Sequence, residues 1–191
     1  MILNGNLVSI RPLEASDAAE IWSMVGGDEE TWRWLGGTAP MPSSAEDLRR
    51  DFEARLNTKS SESFAIVDNE SGKAIGATSF LDIREGDRHL EVGSTFIVPP
   101  FRSGFRNIEC KLLLLAEAFE VRQCVRVTLK ANAANARSRA AIEKIGAKFE
   151  VLLRNQRLET DGSWRTAAYY SVIVEEWPET KAHLLKLLGR D

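Results

Sequence analysis

The chain's most specific chemical signal lies in residues 101–107, Phe-Arg-Ser-Gly-Phe-Arg-Asn. Arg102 and Arg106 flank a glycine there, and an apolar run at helical spacing, 108–119, follows at once. A cationic turn that ends in a helix start offers unpaired backbone N–H groups and the positive end of a helix dipole together. That is how chains bind phosphate. Arg102, Ser103, Gly104, Phe105, Arg106 and Asn107 are therefore candidate anion-binding residues, and Arg137 and Arg139 could extend them into a local basic patch.

Such a turn needs a strand to deliver it and a second strand and helix to close the site. The delivering strand reads Glu-Val-Gly-Ser-Thr-Phe-Ile-Val, 91–98, and stops at Pro99-Pro100. A strand over 125–130 then leads into Asn-Ala-Arg-Ser from Asn135, the start of another helix. Upstream, 7–12 alternates apolar and polar residues and ends at a proline, as an opening strand does. Ser16-Asp17 can cap a helix with Ala18, Ile21, Trp22 and Val25 on one side, which Gly26-Gly27 ends. From there to Pro42 glycine and proline mark a loop, yet it carries Trp32, Trp34, Leu35 and Met41, so it packs over the core or a ligand. Ser44 with Asp47 opens a helix to about 56. Strands over 63–67 and 74–80 flank a polar turn, and a second turn at 84–88 precedes a strand over 89–98. A last strand pair, 148–158 and 167–174, closes around Thr160-Asp161-Gly162-Ser163, and Pro178 opens a leucine-rich terminal helix. Hairpins with one helical crossover make this an α+β chain.

The composition bounds the reading. One domain over residues 1–191 is expected, with an ordinary 43% hydrophobic and 28% charged residues. A net charge of -3 gives no support to a general nucleic-acid binder. Cys110 and Cys124 are too few for a disulfide scaffold, and Cys110, on an apolar helix, reads as a buried thiol. His89 and His183 are far apart, so a histidine metal site is not expected. No apolar run approaches the roughly 20 residues of a membrane span, and the start shows no secretory pattern, so a cytoplasmic protein without a membrane partner is expected.

In element order, and in Ile10-Arg-Pro-Leu, Glu91-Val-Gly, Leu153-Arg-Asn with Asp161-Gly162, and Tyr170-Ser171 before Glu176-Trp177-Pro178, the chain resembles the GNAT N-acetyltransferases. The ribosomal-protein N-terminal acetyltransferases are the subgroup it resembles most. The resemblance implies a three-layer fold, a single mixed and mostly antiparallel sheet flanked by helices, with acetyl-CoA as cosubstrate. It implies a primary amine acceptor, either a small molecule or a protein N-terminus, and a monomer or homodimer. It places Glu91 as the general base that takes the amine proton, and the backbone N–H groups around Phe96, Ile97 and Val98 against the thioester carbonyl. Asn135 and Ser138 match the family's Asn-x-x-Ser at the pantetheine arm, and Trp32 and Trp34 lie on the loop that borders the acceptor pocket.

The chain also departs from the pattern. The family's pyrophosphate turn would place glycines at Phe105 and Asn107, and a Phe at the first threatens the backbone angle or the approach to phosphate. The family's general-acid tyrosine falls at Ile142, which leaves Ser138 as the substitute acid. Thr166 stands where relatives carry a carboxylate. These departures motivate a rival reading, a catalytically degenerate GNAT-fold module that binds CoA or a protein.

Overall fold

The computed structural model describes residues 1–35, 40–102 and 104–190. Among the described residues, eight strands form one sheet: β1 (Leu3–Asn4), β2 (Val8–Pro12), β3 (Glu62–Asp68), β4 (Ala74–Arg84), β5 (His89–Ile97), β6 (Arg126–Asn132), β7 (Lys148–Leu158) and β8 (Trp164–Ile173). Their order is β1-β2-β3-β4-β5-β6-β8-β7, and every neighbouring pair is antiparallel except β5 with β6. Helices flank it: α1 (Asp17–Val25), α2 (Glu29–Trp32), α3 (Ala45–Leu56), α4 (Arg106–Ala116), α5 (Ala136–Lys144) and α6 (Trp177–Leu187). The pair α1 and α3 packs together and onto β4 and β3, while α4 packs on β2 and α6.

Short-range chemistry sets most boundaries. Asp68 turns the β3–β4 hairpin by accepting the Ser71 N–H at 2.9 Å and its hydroxyl at 2.6 Å. At α3, Ser44 Oγ accepts the Asp47 N–H at 3.1 Å, and Asp47 reaches back to the Ser43 N–H at 3.0 Å. The expected cap of α1 is not made: Ser16 has helical angles and no capping bond. Asp17 works there instead, accepting the Glu14 N–H at 2.9 Å and pairing with Arg11 at 2.5 Å. The loop read between Gly26 and Pro42 contains a short helix, α2, because Asp28 caps it at Thr31.

Glu109, on α4, ties the sheet's first edge to the far end of the chain. Its side chain is fully buried and accepts the N–H groups of Asn6, Leu7 and Val8 at 2.9, 2.6 and 2.8 Å, and Arg190 as well. A side chain on Gly5 would strike this carboxyl, its Cβ 2.6 Å from Glu109 Oε2. Cys110 and Cys124 are both buried, free thiols, and burial pushes the Cys110 thiol up to about 11.

Candidate active site

The parallel junction makes the cleft. β5 and β6 pair only through His89, Leu90 and Glu91, opposite Arg126, Val127 and Thr128. Beyond Glu91 the two strands part, and a cleft of about 420 Å³ opens between them, bounded also by α2, α4, α5 and the β7–β8 hairpin. That volume is in the ordinary range for small-molecule sites.

Glu91 stands where the strands separate, 6% exposed, with Lys130 Nζ 2.7 Å from its carboxylate. Burial pushes its pKa up, and Lys130 only partly opposes the rise. Gly93, two residues on and therefore on the same face, makes room for it. An added Cβ there would lie 2.9 Å from Glu91 Oε1 and 2.9 Å from Leu81 Cδ1.

Next on β5 is a bulge. Ser94 and Thr95 together oppose Thr78 of β4, and Ser94 takes a positive φ of 50°. Thr95 Oγ1 meets Thr78 Oγ1 at 2.8 Å and accepts Lys111 Nζ at 2.6 Å. Lys111, on α4 and 7% exposed, lines the cleft floor, and burial lowers its pKa. Sequence reasoning passed over this lysine, although a lone cation inside the apolar run of α4 was the available signal.

Of the three backbone groups expected around the thioester carbonyl, Val98 is spent, since its N–H donates to Ile75 O at 2.8 Å. Alternation turns Phe96 the same way, toward its register partner Ala77. Ile97 faces the other edge, where its carbonyl accepts Arg102 Nε at 2.9 Å. Phe96 and Ile97 line the cleft and Val98 does not.

The turn also differs from expectation. Gly104 takes the left-handed conformation, φ 86°, one place earlier than the family pattern puts it. Phe105 accordingly has an ordinary φ of −101° and a side chain 50% exposed, so it neither strains the backbone nor closes the cleft. It occupies the cap position of α4 without a capping side chain, and Asn107 lies inside the first turn rather than capping it. Among the described residues no side chain caps the first N–H groups of α4, which makes this helix start a fit for an anion. Neither arginine is free beside them. Arg102 bonds Asp28 at 2.8 Å, Thr31 and Ile97, and Arg106 bonds Asp68 at 2.7 Å. The Thr31 hydroxyl and Arg102 hold the Asp28 carboxyl below its usual range. Ser103, also expected here, lies outside the described residues.

At α5, Asn135 caps the helix, accepting the Ser138 N–H at 3.0 Å, and both residues line the cleft. Ile142 lines it too, an apolar group where the family's acid would be. Tyr170 is no replacement, because its hydroxyl is tied to Glu143 and Arg139, each at 2.9 Å. Trp32 is a correction. It is 3% exposed, its Nε1 donates to Gly26 O at 2.9 Å, and in the core it stacks on Trp22 and packs at a tilt against Phe96. Trp34, the other tryptophan expected there, does line the cleft, and Thr31 lines it as well. Arg157 and Arg165 on the last hairpin also line it, and sequence reasoning named neither as a site residue.

Residues 8–148 match the acetyltransferase (GNAT) domain family. Across 184 residues, 91% of this chain and 95% of the relative, the sequence is 30% identical to Bacillus subtilis (strain 168) YdaF, whose assignment as a ribosomal N-acetyltransferase is provisional. A provisionally assigned acetyltransferase from T. thermophilus superposes with a TM-score of 0.89 at 33% identity, covering 98% of this chain and 96% of that one. Mycobacterium smegmatis RimJ, solved in complex with CoA-disulfide, shares the fold with a TM-score of 0.79 at 22% identity over 96% and 90% of the two chains.

Proposed function

Because the chain belongs to the GNAT acetyltransferase family, whose members use acetyl-CoA, we propose that it acetylates a primary amine by direct attack, with no acyl-enzyme. The provisional ribosomal assignment of YdaF makes a protein N-terminus one acceptor to test, beside small-molecule amines.

The observation that carries this reading is the fork between β5 and β6, with a buried carboxylate at its apex and an uncapped helix start on its rim. The open N–H groups of α4 hold the donor's pyrophosphate, supported by the cleft face of Asn107. The edge of β5 at Ile97 and the bulge beyond Gly93 orient the pantetheine arm. Acetyl-CoA, once bound, supplies the electrophilic thioester carbonyl. Glu91 removes a proton from the acceptor ammonium, which must be neutral to attack. Its raised pKa makes it a stronger base than an ordinary carboxylate, and Lys130 holds the carboxylate in place. The Ile97 N–H faces the developing negative charge on the carbonyl oxygen. The Ser138 hydroxyl, at the start of α5, donates toward the departing sulfur.

Calorimetric titration with acetyl-CoA, followed by CoA release with a panel of amines, tests the proposal. Micromolar binding with turnover is expected. A folded protein that binds no acetyl-CoA and turns over no amine overturns it.

A further inference from the structure

The acceptor end of the cleft carries an excess of positive charge that the transfer chemistry leaves unused. Arg157 and Arg165 are register partners on β7 and β8, so two guanidinium groups stand directly across from each other, and both line the cleft. Arg157 pairs with Glu159 at 3.4 Å. Arg165 is different: its Nε is buried and has no hydrogen-bond partner among the described residues. A buried guanidinium donor without an acceptor is costly and uncommon.

The two described carboxylates nearby, Glu91 and Glu159, are each paired with another cation, Lys130 and Arg157, and neither bonds Arg165 Nε. Burial is the main influence that lowers the Arg165 pKa, Arg157 adds to it, and Glu159 and Glu91 oppose it. Glu91 is already shared with Lys130, whose ammonium also lies over the Tyr169 ring at 5.3 Å. The next residue is Thr166, which brings no charge.

This group is remote from the donor's phosphates. The turn before α4 follows Ile97, so about 20 Å of strand separates it from Glu91, near which Arg165 acts. We infer that Arg165, backed by Arg157, is a subsite for a carboxylate on the acceptor, so that the substrate class is an amine bearing a nearby carboxylate rather than a polyamine or aminoglycoside. The carboxylate gives the buried Nε its missing acceptor and relieves the cross-strand repulsion, while the ammonium of the same molecule reaches Glu91. A polycation would instead add charge to Lys130, Arg157 and Arg165. The inference rests on the acetyltransferase reading. Its carboxylate could come from two sources: the α-carboxylate of a free amino acid, or an Asp or Glu side chain near a peptide N-terminus.

The test compares matched acceptors with the full-length protein and saturating acetyl-CoA. Free amino acids are set against their amides, and peptides with Asp or Glu in second place against the Asn or Gln forms. At least a tenfold higher kcat/KM for the carboxylate member is expected in one series, and the series in which it occurs identifies the source. Arg165→Gln is expected to reduce that preference to within twofold, and Arg165→Lys to keep part of it. Equal kcat/KM within the pairs, or a preference that survives Arg165→Gln, overturns the inference. If no amine turns over, the transfer reading fails separately. The subsite is then read by titrating N-acetylated amino acids and acidic peptides against their amides. A tenfold difference in Kd supports it, and equal Kd values overturn it.

Discussion

Lys130 Nζ approaches Glu91 Oε2 to 2.7 Å at the point where β5 and β6 stop pairing, so the cleft's buried acid is held by a cation from the opposite wall. Burial outweighs that cation and leaves the Glu91 pKa raised. A base must be ionised to act, so activity appears only as pH rises through this elevated value. The acidic limb of kcat/KM is expected above the ordinary carboxylate range, and Lys130→Met moves it further up. Glu91→Gln is expected to lower kcat/KM by roughly 10²-fold or more and to remove the limb, with acetyl-CoA Kd unchanged. Full activity in that variant would take the base role from Glu91.

The turn before α4 makes opposite predictions for adjacent residues. Phe105 is exposed with ordinary backbone angles, so Phe105→Ala changes acetyl-CoA Kd by less than about threefold, within the span of surface substitutions. Gly104 has φ 86°, and Gly104→Ala strains the turn by about 1 kcal/mol and weakens acetyl-CoA binding. Calorimetry on the two variants decides between this turn and one whose glycine requirement falls at 105.

Lys111 and Thr95 should respond asymmetrically. Thr95→Val removes the oxygen that accepts the buried ammonium and costs about 1–3 kcal/mol in urea unfolding. Lys111→Met removes the buried ammonium itself and is nearly neutral. Equal losses in the two variants would contradict a desolvated cation.

Glu109 sets a pH dependence of stability. Burial pushes its carboxyl up, but the N–H groups of Asn6, Val8 and Leu7 together with Arg190 outweigh that and hold it below its usual range. Its folded pKa is below its unfolded one, so the stabilisation is complete above the ordinary carboxylate range and is lost as pH falls through the folded value. Glu109→Gln is expected to flatten the acid limb of a stability–pH profile. Glu109→Ala orphans three N–H groups and costs at least about 2 kcal/mol.

The strand alternation, the polar turns and the run after Arg106 made the architecture legible, because each is a local pattern with a local cause. Glu91, Asn135 and Ser138 were placed at the site by the resemblance to the GNAT family rather than by local pattern, and all three line the cleft. What escaped depends on partners distant in sequence. Trp32 looked like a pocket residue until a helix capped by Asp28 turned it into the core. Arg102 and Arg106 read as free cations, and nothing near them in sequence revealed Asp28 and Asp68 as partners. Phe105 read as an obstruction because one-residue offsets in φ cannot be seen in a string of letters. Arg165 became conspicuous only once register set Arg157 across from it.

The bond from Arg102 to Asp28 and Thr31 joins the turn before α4 to the cleft wall that Trp34 lines. An anion drawn to that guanidinium must share it with α2 or displace it. Donor and acceptor are therefore expected to bind interdependently, each altering the other's welcome, and by reciprocity the influence is equal in both directions. Acceptor affinity measured with and without CoA present is where that conversation would be heard.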